Sequence, residues 1–184
     1  MSQISERLSQ LEVRLQASDF LRGAGLGNEV NFHIFDYEPQ LEPLVSAHIE
    51  RLKSNLAEAD IRVLHLDLYD LVLAELRSRN YLERCFALEA SQGWAKLYKE
   101  LGNLVRAQKI VERIAEARVS AHDLVFLTGV GQVFPLLRSH TVLNQLHSLI
   151  SEPLVMFFPG SYNGDRLELF GAFADDNYYR AFRI

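Results

Sequence analysis

The chain carries a single cysteine, Cys85, among 184 residues, so it can form neither an internal disulfide nor a multi-thiolate metal site. Cys85 falls in YLERCFALEA, a helical pattern, and reads as a small core residue. Basic residues are not in excess. Lys and Arg number 19 against 24 Asp and Glu, a net charge of −5, which disfavours non-specific attachment to nucleic acid or anionic lipid. No apolar run approaches the roughly 18 residues needed to span a bilayer. MSQISERLSQLEVRLQ lacks the cationic region and apolar stretch of a secretory signal, so the expectation is a cytoplasmic protein without membrane contact. Internal repeats and low-complexity segments are also lacking. What is there is an ordinary globular composition, 48% hydrophobic and 23% charged, in a chain long enough for one full core.

Ile4, Leu8, Leu11 and Leu15 recur at helical spacing and predict an amphipathic helix over 3–17. LRGAGLGNEV then delivers the chain to a first strand at 31–35, which Pro39 stops. Leu41, Val45, Ile49, Leu52 and Leu56 mark one face of the next helix. IRVLHLD, residues 61–67, is the second strand. From about 69 to 119 the pattern is helical throughout, longer than one crossover requires, and predicts an insertion of two or three helices. DLVFLT (123–128) and PLVMFF (153–158) are the continuous apolar runs of central parallel strands, with one or two helices between them. Asn163-Gly164 is a turn signal that makes 167–171 an antiparallel edge strand. The expected fold is one α/β domain over 1–184, a three-layer sandwich with a mostly parallel sheet of four or five strands.

Parallel strands place their carboxyl ends on one rim. It would gather Asp36, Asp67, Asp70 and the turn Thr128-Gly129-Val130-Gly131. Three carboxylates can hold a hard cation, but Asp after a strand is also a common turn or cap residue, and that reading is preferred here. The glycine turn resembles a phosphate cradle. It lacks the lysine of a Walker loop, however, and Phe134 stands where a dinucleotide fingerprint needs a small residue. A nucleotide- or metal-dependent enzyme on this rim is the runner-up reading. His33 and His65 fall inside strands and no histidine pair has metal spacing. Ser161 in PGSYNG is not a nucleophile elbow. No complete catalytic motif, cofactor or metal is therefore assigned. Arg138, His140 and Asn144 form a polar stripe, and Tyr178, Arg180 and Arg183 lie near the chain's end. Arginine with aromatics is the chemistry that protein interfaces concentrate.

Taken in order, GLGNEVNFHIFDYEP, HLDLYDLVL, DLVFLTGVGQVFPLLRSHTVLNQL, VMFFPGSYNG and FADDNYYRAFRI resemble the small BrxB component of bacterial BREX phage-resistance systems over about residues 20–184. The resemblance implies a host-defence operon and sister subunits: a large ATPase, a DNA methyltransferase and an alkaline-phosphatase-fold subunit of the PglZ type. It carries over no catalytic residues. It implies an interaction subunit that reaches nucleic acid only indirectly, if at all.

Overall fold

The computed structural model describes residues 3–23, 31–117, 121–174 and 181–184. Five strands run parallel in the order β2-β3-β4-β1-β7: β1 (Phe32–Tyr37), β2 (Val63–Asp67), β3 (Leu124–Thr128), β4 (Leu154–Tyr162) and β7 (Phe182–Arg183). β5 (Leu167–Leu169) pairs antiparallel with the far end of β4, and β6 (Phe173–Ala174) pairs with β5. The sheet is thus mostly parallel with an antiparallel edge, as expected.

Side chains along the strands alternate between two cores. Phe35, Phe126, Val155 and Phe157 face α1 (Gln3–Gln16), α2 (Ser18–Leu21) and α3 (Glu42–Glu58). Phe32, Ile34, Val125, Leu127, Leu154 and Met156 face the other layer. That layer holds α4 (Leu68–Ser78), α5 (Leu82–Gln92), α6 (Trp94–Leu104), α7 (Ala107–Ala117), α8 (Val130–Val133) and α9 (Ser139–Leu146). The layering follows from direction. β1 crosses to the far edge through α3, and the chain returns through β3 and β4, so connections of one hand must use opposite faces.

The helical insertion comprises four helices. α5 and α6 are separated only by Gly93, whose φ of 78° ends one helix and starts the next. Glu75 of α4, 4% exposed, pairs with Arg113 of α7 at 2.5 Å and with Arg79 at 2.6 Å, joining the insertion's first and last helices. Cys85 is buried in this layer, and burial raises its thiol pKa. Among the described residues no helix is long and apolar enough to cross a membrane.

His33 on β1 is 7% exposed, between Phe20 of α2 (ring centroids 4.6 Å) and Phe182 of β7 (5.7 Å), with Asn31 Oδ1 at 2.6 Å from Nε2. Burial, and secondarily Arg14, pushes its pKa from 6.5 down to about 4. The folded state favours the neutral ring, so stability is complete above pH 6.5 and declines as pH falls towards 4, by up to about 3 kcal/mol. The expected result is a urea midpoint that drops across this window in wild type and less in His33→Gln, which keeps an N–H donor without titrating. Identical pH profiles for the two proteins would refute it.

Candidate functional site: the strand-end rim and the Arg138 clefts

In a doubly wound sheet the ligand crevice opens where neighbouring strands send their connections in different directions. Here that place is the β1/β4 boundary, because β1 leaves into α3 while β4 runs on to meet β5. The crevice is filled by the protein's own groups. Asp36, at the end of β1 and 2% exposed, accepts the Tyr162 N–H of β4 on Oδ2 at 3.1 Å. Arg183 of β7 reaches it with Nε to Oδ1 at 3.0 Å and Nη2 to Oδ2 at 2.9 Å. Arg7 of α1 donates to Oδ1 at 2.9 Å and to the Asp36 carbonyl at 2.7 Å, with its guanidinium 4.7 Å from the Phe35 ring centroid. One buried carboxylate thereby fastens the first helix, the neighbouring strands β1 and β4, and β7. Tyr162 adds to this, since its hydroxyl accepts the Ala181 N–H at 3.2 Å and lies 2.9 Å from the Ala181 carbonyl.

Asp67, at the end of β2, caps α4: Oδ1 accepts the Tyr69 and Asp70 N–H groups at 2.9 and 3.1 Å. Its Oδ2 accepts the Thr128 hydroxyl at 2.8 Å. Thr128 lies 2.9 Å from His65 Nε2, and His65 Nδ1 lies 3.2 Å from Lys53 Nζ. Burial, then Lys53, lowers the His65 pKa, which favours the neutral ring. Gly129 follows at φ 76°, where an added Cβ would sit 2.6 Å from Asp67 Oδ1 and 2.9 Å from the Leu68 and Tyr69 nitrogens. The turn is therefore packed against the cap of α4. Gly131 faces Phe170 and Pro159, while the Asp70 side chain is exposed on the first turn of α4. Among the described residues no three His, Cys, Asp or Glu side chains converge into a set suited to a metal ion. Asp67→Ala is expected to lower stability by about 1–2 kcal/mol through loss of the cap, with Thr128 also left without its acceptor. Chemical denaturation measures this, and an unchanged midpoint would contradict it.

The polar stripe divides. Arg138, exposed at the start of α9, lines two adjoining depressions, one of them shared with Thr141 and Gln145. His140 and Asn144 line neither, and His140 Nε2 lies 3.0 Å from the Thr141 hydroxyl. Tyr178 and Arg180 lie outside the described residues. Arg183 is engaged by Asp36, as above. Sequence reasoning did not single out Arg7, although it borders the apolar stripe of α1, nor Arg106 and Phe173 beside Arg138.

Comparison with known proteins places the chain. A family described as BREX protein BrxB matches residues 64–184. A protein of Bacillus cereus (strain H3081.97), described as BREX protein BrxB, is 42% identical over all of this chain and 98% of its own length. Another with the same description, from Escherichia coli O9:H4 (strain HS), is 37% identical over 97% of this chain and 90% of its own. No solved structure matches. With its similarity extending from end to end, the chain belongs to the BrxB family of BREX proteins.

Proposed function

We propose that this protein is a non-enzymatic interaction subunit of a BREX antiphage defence system and that it docks the PglZ-type alkaline-phosphatase-fold subunit. Other BREX proteins, the ATPase and the methyltransferase, are further partners, and any contact with nucleic acid runs through them. Family membership supports the setting. The observation that carries the mechanism is the state of the strand ends: Asp36 is consumed by two arginines and an amide, and Asp67 by a helix cap and Thr128. An α/β enzyme keeps such positions open for substrate. Here they hold the fold together, and the surface is left to do the work.

A tagged pull-down from cells expressing the complete neighbouring operon, washed at rising salt and read by mass spectrometry, tests this. The expected result is stable recovery of the PglZ-type subunit. Recovery of this protein alone at low salt would reject the docking role and make nucleotide and metal binding the next measurement.

A further inference from the structure

The two depressions that meet at Arg138 differ in character. One, of about 260 Å³, is walled by Phe158, Leu167 and Leu169 and carries the Phe134–Phe173 pair, ring centroids 4.9 Å apart. Phe173 is 51% exposed there. The other, of about 400 Å³, lies where α7 and α9 begin and is lined by Arg106, Leu136, Thr141 and Gln145. Arg138 belongs to both. Arg7, Arg14, Arg62, Arg79, Arg113 and Arg183 each hold a carboxylate. Among the described residues the guanidinium groups of Arg106 and Arg138 hold none, as is also true of Arg22, Arg51, Arg77, Arg84 and Arg166, none of which lines this surface. Among the described residues the result is a pair of arginines without a carboxylate partner beside an aromatic pocket, on a protein whose net charge is −5.

We propose that this composite surface receives an acidic segment of a partner protein. A large apolar side chain of that segment enters the Phe134–Phe173 pocket, and carboxylates flanking it pair with Arg138 and Arg106. Guanidinium groups favour carboxylates through paired N–H donors. Arginine beside a desolvated aromatic pocket is also the usual composition of an interface hot spot. Nucleic acid fits less well, because phosphate backbones are held by extended sets of cations and the larger part of this lining is apolar or neutral. The assignment rests on the interaction-subunit reading and gives it a location and a partner chemistry.

The test is a 15N NMR titration of the full chain with the peptide acetyl-Asp-Glu-Phe-Asp-Leu-amide and with its counterpart carrying Lys at each acidic position. The acidic peptide is expected to shift the amides of Phe134, Ser139 and Phe173. Arg106→Glu combined with Arg138→Glu is expected to weaken it by about tenfold or more and to make the lysine peptide the better ligand, with spectra elsewhere unchanged. Four results would each overturn the proposal: no shifts at millimolar peptide, equal response to both peptides, unchanged affinity in the double variant, or preference for a short DNA oligonucleotide. The same double variant in the operon pull-down separates the two readings. If it still recovers the sister subunit, the surface is misassigned and the interaction role stands. If wild type recovers nothing while the acidic peptide binds, the role fails and the surface stands.

Discussion

Replacing Arg7 and Arg183 together by alanine is expected to lower stability by about 3–5 kcal/mol, the usual cost of leaving a buried charge uncompensated. The group that decides this is the Asp36 side chain, 3% exposed, against 29% for Arg7 and 59% for Arg183. With both guanidinium groups gone, the Asp36 carboxylate keeps, among the described residues, only the Tyr162 N–H. The informative comparison is the triple variant that also carries Asp36→Ala. Removing the stranded carboxylate recovers part of the loss, so the triple variant is expected to be more stable than the double. Urea unfolding of the wild-type, double and triple proteins gives the answer. A triple variant as unstable as the double, or worse, would show that the arginines act through packing and not as counter-charges.

Gly160→Ala is expected to be at least as damaging locally. A Cβ at position 160 would lie 2.1 Å from the Glu168 carbonyl oxygen and 3.0 Å from its carbon. Both are backbone atoms of the paired strand β5 and cannot swing aside. Overpacking usually costs about 1–3 kcal/mol. Here relief requires parting β4 from β5, which removes Leu167, Leu169 and, through β6, Phe173 from the pocket beside Arg138. Hydrogen exchange is the direct measurement: protection at 167–169 should collapse while β1 and β3 remain protected. The variant should also lose affinity for the acidic peptide without any change to an arginine. Wild-type protection across β5 would disprove this account.

The central strands are legible in the sequence because burial on both faces demands unbroken apolar runs, and NFHIF, DLVFLT and PLVMFF supply them. β4 reads as ending at Phe158, since Pro159-Gly160 looks like a turn, yet it continues to Tyr162. A proline without an N–H is tolerated there because β4 is leaving its parallel neighbours, and the glycine admits the carbonyl of β5. β7 has two residues, too short for any period to register, and exists because β1 offers an open edge. The four-helix insertion reads as two or three because apolar spacing runs smoothly past the break at Gly93. The rim itself follows from topology. What Asp36 does there does not, because its partners lie 29 and 147 positions away in the chain, and nothing local in FDYEP distinguishes an ion-paired carboxylate from an open one.

The strand order carries a further consequence for the living cell. β1 is synthesised well before both of its neighbours, β4 and β7, with Phe32 pairing to Leu154 and His33 to Phe182. A nascent chain therefore carries a strand of six buried residues without its sheet neighbours until β4 and β7 have been made. Such distant pairing slows folding and prolongs exposure to chaperones and to other nascent chains. Translation of this protein is thus a period in which the unpaired β1 is open to aggregation.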